Sequence, residues 1–136
     1  MDQESSRVKK GRTRLLPGAS PGQIEEFERD TGIRLPKQYK EWLLVSDGGE
    51  VHCPEGPQLL GVSNENPKLQ IRQGDSVEAP ANMAVIGRTS TGDAICCISG
   101  EEHIIQWSHE TNEKIFSWKD MRAFWAHCDE LYGEEP

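Results

Sequence analysis

Between Ser20 and Gly49 the helix starts and stops are so closely spaced that this stretch can hold only two short helices on a tight link. Ser20-Pro21-Gly22-Gln23 reads as an S-x-x-Q capping box with proline at the first helical position, where its missing N–H is harmless. Ile24, Phe27 and Thr31 then mark one face and Glu25, Glu26, Glu28 and Arg29 the other, and Gly32 can take the left-handed conformation that ends a helix. Pro36 opens the second helix. Tyr39, Trp42 and Leu43 form its i, i+3, i+4 apolar stripe, Lys37, Lys40 and Glu41 can stay wet, and Asp47-Gly48-Gly49 supplies residues that tolerate positive φ for a stop.

Beyond Gly49 the pattern changes to short apolar segments cut by glycine, proline and asparagine, which predicts strands over 58–62, 69–71, 83–87, 94–99, 103–108 and 114–117. Gly100-Glu101-Glu102 and residues 109–113 look like hairpin turns, so an antiparallel meander is the simplest assembly. The polar stretch 74–82 reads as a loop riding on the sheet. Ser117-x-x-Asp120 resembles a second capping box, and Met121, Phe124, Trp125, Cys128, Leu131 and Tyr132 share one face of a closing helix. The expected fold class is therefore α+β, with a helix pair at the front and a helix at the end. Its organisation would be a basic flexible N-terminal arm over 1–18, one domain over 19–133 and a frayed tail over 134–136.

A length of 136 residues suits one domain, and four Trp, three Phe and two Tyr are enough large groups to anchor its core. The longest apolar run, Ala94 to Ile98, is far short of the ~20 residues that cross a bilayer. No apolar segment follows the polar start of the chain, so the expected location is cytoplasmic.

Charge divides unevenly. Residues 1–14 hold Arg7, Lys9, Lys10, Arg12 and Arg14 against Asp2 and Glu4, a balance of +3, while the rest carries 10 basic against 21 acidic residues, or −11, for a total of −8. An acidic body repels phosphate backbones and attracts basic partners, which argues against nucleic acid and against a membrane surface as ligands of the domain. The basic arm lacks an aromatic on which a base could stack, so it reads as a solvated lead-in.

Motifs that would carry chemistry are missing. Cys53, Cys96, Cys97 and Cys128 have no C-x-x-C spacing and read as reduced, buried small hydrophobes. A zinc site would have to gather His52, Cys53, His103, His109, His127 and Cys128 from scattered places. Neither a G-x-S-x-G elbow nor a phosphate-cradling glycine loop occurs. The carboxylate doublets Glu25-Glu26, Glu101-Glu102, Asp129-Glu130 and Glu134-Glu135 fall on expected outer faces, a hairpin tip and the tail, where solvation keeps them ordinary. His103 and His109 read as strand-end residues bonded to backbone or water, and Trp118 and Trp125 as core or interface anchors. No metal and no cofactor is expected.

The run from Ser20 to Glu28, then Gly32-Ile33-Arg34-Leu35-Pro36-Lys37-Gln38-Tyr39-Lys40-Glu41-Trp42, then Asp47-Gly48-Gly49, resembles the opening of SUKH-superfamily domains of the Smi/Knr type. Downstream, Gly92-Asp93-Ala94-Ile95-Cys96 and Ile105-Gln106-Trp107-Ser108-His109-Glu110-Thr111 resemble two further stretches of that family in the same order, so the likeness covers about 19–132. Its signature positions here are Gly32, Leu35, Pro36, Tyr39, Trp42, Gly48, Gly49, Gly92 and Trp107. Asp47 stands where that pattern usually has Asn.

The resemblance implies helices packed on a strongly bent antiparallel sheet. It also implies a non-catalytic role: immunity proteins of bacterial polymorphic toxin systems, or fungal regulators of cell-wall assembly. The leading expectation is a protein-binding immunity module whose partner is a basic toxin domain, such as a nuclease. A regulatory scaffold is the alternative, and a small-ligand protein or hydrolase a second one. Asp47, Glu50, Asp93, Glu101 and Glu102, at expected element ends, are the candidate partner contacts.

Overall fold

The computed structural model describes residues 12–53, 56–63, 69–75 and 79–132. The N-terminal helix pair forms as the capping signals dictate. Helix α1 spans Pro21–Thr31, and both halves of its capping box are made: Ser20 Oγ accepts from Gln23 N–H at 3.1 Å and Gln23 Oε1 from Ser20 N–H at 2.8 Å. Gly32 ends it at φ 76°. Helix α2 spans Lys37–Val45 and buries Tyr39 and Leu43. Helix α3, Met121–Tyr132, buries Met121, Phe124 and Cys128.

Eight strands among the described residues form one antiparallel sheet: β1 (Arg12–Arg14), β2 (Gly49–Cys53), β3 (Gln58–Leu59), β4 (Arg72–Gln73), β5 (Ala84–Arg88), β6 (Ala94–Cys97), β7 (Ile104–Ser108) and β8 (Glu113–Trp118). The spatial order is β1-β2-β3-β5-β6-β7-β8, and β4 pairs with the other half of the β5 edge that β3 occupies. The fold is therefore α+β, with the expected meander running from β5 to β8. Register shifts between β1 and β2, β5 and β6, and β7 and β8 add bulges that bend the strands.

Several local expectations need correction. Residues 69–71 make only an isolated parallel bridge, Gln70 to Gly61, and the strand follows at Arg72–Gln73. Strand β3 stops at Leu59, short of 62. Ser117 lies in β8, so it does not cap α3. Asp120 does, its Oδ1 accepting from Ala123 N–H at 2.9 Å, while Gln38 Oε1 reaches across from α2 to take Arg122 N–H at 2.7 Å.

Two strands carried no signal in the sequence. Residues 49–53 continue directly from the α2 stop into β2, and Arg12–Arg14 pair with it as an edge strand, which gives order to the last part of the stretch read as an arm. The expectations for residues 1–11 and 133–136 lie outside the described residues.

The core is built around the central strands, where successive residues of β5 and β6 are buried on both faces of the sheet, with Tyr39, Leu43, Val85, Ile86, Ile95, Ile104 and Met121 fully enclosed. Trp42 and Trp125 pack at its margin with ring centroids 5.0 Å apart. Cys96, Cys97 and Cys128 are buried, as their use as small hydrophobes requires.

Candidate partner-binding surface

Tyr39 shows what the signature residues do. Its hydroxyl donates toward Leu60 O at 2.5 Å and Ile86 O at 3.2 Å, tying α2 to β5 and to the chain leaving β3. Burial, with smaller contributions from Cys97 and Asp47, raises its phenol well above the ordinary value, so it stays a neutral donor. Leu35 is held by its N–H donating to Glu28 Oε2 at 2.8 Å, and the same oxygen lies 3.6 Å from Lys40 Nζ. Gly48 and Gly49 adopt φ 96° and 117°, and a Cβ on Gly49 would come within 2.7 Å of Arg14 O.

Three of the five candidate contact residues hold internal structure. Asp47 accepts Val62 N–H at Oδ1 (2.7 Å) and Ser63 N–H at Oδ2 (3.2 Å). Both oxygens act as acceptors, which suits a carboxylate better than an amide with one oxygen and one NH2. Glu102 accepts Lys37 N–H at 3.1 and 3.0 Å through its two oxygens. It thus supplies to the N-terminus of α2 the cap that Pro36 lacks, from 65 residues away. Arg34 N–H donates to Ser99 Oγ and Gly100 N–H to Arg34 O, so the β6–β7 turn is laced onto the same segment.

Asp93 is the third. It is 8% exposed, with Oδ2 accepting from Gln106 Nε2 at 3.1 Å and Oδ1 accepting both His109 N–H at 3.2 Å and His109 Nδ1 at 2.8 Å. Burial pushes this carboxyl up, but the hydrogen bonds from His109 and Gln106 together outweigh it, and the net shift is downward. Neutral His109 therefore carries its proton on Nδ1, facing the carboxylate, and leaves Nε2 as the acceptor. Gly92, at φ 98°, lies under the ring, where a Cβ would approach to 3.4 Å. His109 is thus bonded to a carboxylate rather than to backbone or water, a pairing with no local spacing to reveal it.

The remaining two candidates are weakly paired: half-buried Glu50 lies 3.9 Å from Arg14 Nε and exposed Glu101 3.4 Å from His103 Nδ1. Trp107 Nε1 donates to Asn112 Oδ1 at 3.1 Å, closing the β7–β8 turn. Among the described residues no three His, Cys, Asp or Glu side chains converge as metal ligands, and the side chains of His52 and Cys53 lie outside them.

Two grooves stand out among the described residues. An apolar groove of about 210 Å³ lies under the second half of α3, walled by Phe116, Trp118, Phe124, His127 and Leu131. A second groove, about 310 Å³ at one end and about 210 Å³ at the other, follows α1. Gln23 and Ser63 are common to its halves; Leu16, Pro17 and Leu69 line the first, and Glu26, Asp30 and Gln70 the second. Beside it stand Leu15, Leu16, Leu44 and Val45, each 40–60% exposed.

The signature residues act as internal clamps of one α+β domain. Residues 18–127 match the SMI1 / KNR4 family (SUKH-1), and the chain belongs to that family. No curated protein matches it. No helix among the described residues is long and apolar enough to cross a membrane.

Proposed function

We propose that this chain is a non-catalytic protein-binding module of the cytoplasm that acts as an immunity protein, neutralising a basic toxin domain by covering its active site. The observation that carries this reading is membership of the SMI1 / KNR4 family over residues 18–127, and the perturbed groups among the described residues are in keeping with it. Catalysis wants a carboxyl raised toward neutrality or a thiol lowered toward it. Here Asp93 is lowered, while burial pushes Cys97 and Cys128 up to about 12. Each is held in its resting form by the fold.

Charge supports the same reading. A net −8 complements a toxin whose own surface must approach phosphate, and complementary charge speeds encounter while a few apolar anchors slow dissociation. The test is co-expression with candidate basic toxin domains taken from neighbouring genes: growth is expected to be restored with one of them. Continued killing at equal expression, or turnover of a substrate by the purified chain, would sink the proposal.

A further inference from the structure

The aliphatic side chains beside α1 are exposed on a backbone tied down by hydrogen bonds. Ala19 N–H donates to Leu43 O at 2.8 Å, Asp47 N–H to Pro17 O at 3.1 Å and Leu16 N–H to Ser46 Oγ at 2.9 Å, so the segment before α1 is laced to the end of α2. Gly18 passes so close that a Cβ would lie 2.1 Å from Leu44 O. Leu15, Leu16, Leu44 and Val45 are thereby fixed in the open, as preorganised anchors must be.

Among the described residues, charge along the adjoining groove is acidic. The charged side chains that line it among the described residues are Glu26, Asp30 and Asp47. Asp47 is committed to Val62 and Ser63, whereas Glu26 and Asp30 make no ion pair or hydrogen bond with described residues. We infer that this face receives a segment of a protein partner in which an apolar side chain seats on the Leu15/Leu16/Leu44/Val45 patch and a neighbouring Lys or Arg enters the groove between Glu26 and Asp30. The inference rests on the protein-binding reading above and names its surface and the chemistry of its occupant.

The test uses the full chain and two synthetic hexapeptides, one alternating Lys and Leu, the other Glu and Leu, titrated by amide chemical-shift mapping. The Lys-Leu peptide is expected to shift Leu16, Gln23, Glu26, Asp30 and Leu44, and the Glu-Leu peptide to bind at least about tenfold more weakly. Glu26→Lys with Asp30→Lys should weaken Lys-Leu binding roughly tenfold, while Glu110→Lys with Glu113→Lys, an equal change of charge at the β7–β8 turn, should change it by no more than about twofold. Leu44→Ser with Val45→Ser, its fold checked by circular dichroism, should also weaken it. Equal losses in both charge variants would reduce the effect to bulk charge and overturn the inference, as would shifts centred on Phe116 and His127. A dimer that dissociates on Leu44→Ser with Val45→Ser would overturn it too, because the occupant would then be a second copy. Should the groove variant rescue growth as well as the unaltered chain, this surface is wrong while immunity stands; should the peptide map to the groove without any rescue, the reverse holds.

Discussion

Asp93 Oδ1 lies 2.8 Å from His109 Nδ1, and that contact joins the turn before β6 to the turn after β7. The stretches Gly92-Asp93 and Trp107–Thr111, separate in sequence, are two halves of one clamp: the carboxylate takes the ring and amide of His109 and the side-chain amide of Gln106. Ser108 Oγ accepts Glu110 and Thr111 N–H beside it, which sets the backbone that presents the histidine.

Replacing Asp93 with Ala should cost about 1.5–3 kcal/mol, since charged hydrogen bonds to a buried carboxylate are lost and half-buried Gln106 is left with an unmatched donor. Asn, which keeps one acceptor, should cost less. The carboxyl is lowered in the folded chain, so its contribution is present above the ordinary carboxylate value of about 3.9 and is lost as pH falls through the lower folded value. Urea midpoints measured from pH 7 down to pH 2 should therefore fall less steeply below about pH 4 in Asp93→Asn than in the parent. Parallel curves would assign the acid sensitivity to other groups.

Asp47→Ala should destabilise by about 1–2 kcal/mol because the amides of Val62 and Ser63 both lose their acceptor. Asp47→Asn should lie between, as an NH2 group would face one of the two N–H donors. Chemical denaturation of the three proteins gives the ranking directly, and an Asn variant as stable as the parent would show that the second hydrogen bond contributes nothing.

The α2 cap reaches in from the β6–β7 turn, so Glu102→Ala should loosen the first turn of α2 by about 0.5–1 kcal/mol although Glu102 is distant in sequence. Amide exchange at Tyr39 and Lys40 should accelerate, and Glu102→Gln should recover most of the effect. Protection unchanged in the Ala variant would mean that water caps the helix equally well.

Two glycines should respond differently to alanine. Gly32 has open space but φ 76°, so Ala should cost about 1 kcal/mol through backbone strain. Gly18 has no such angle but no room either, with Leu44 O at 2.1 Å from the added carbon, and Ala there should cost about 2 kcal/mol or more by prising the segment from α2. Thermal melts of both variants decide it, and a benign Gly18→Ala would contradict the close packing.

Much of the architecture was legible because it rests on local rules. The capping box at Ser20, the left-handed stop at Gly32 and the Tyr39/Leu43 stripe need only neighbours within a turn or two, and they fold as read. The meander from β5 to β8 was legible for the same reason, since short turns fix its pairings. Strands β1 and β2 were not: Arg12–Arg14 is polar and three residues long, and it becomes a strand only because the β2 edge offers it backbone partners.

The sequence by itself determined the boundaries of α1 and α2, the fold class, the family and the acidic balance, all properties of residue order and composition. Tertiary structure decided which acidic side chains are spent inside the molecule. Asp47, Asp93 and Glu102 look like Glu26 and Asp30 in one dimension, yet the first three meet backbone amides, a histidine or a glutamine amide brought in from 13 to 65 residues away, and the last two face an open groove. A carboxylate's role depends on the donors that surround it, and donors arriving across such distances leave no periodic trace in the chain.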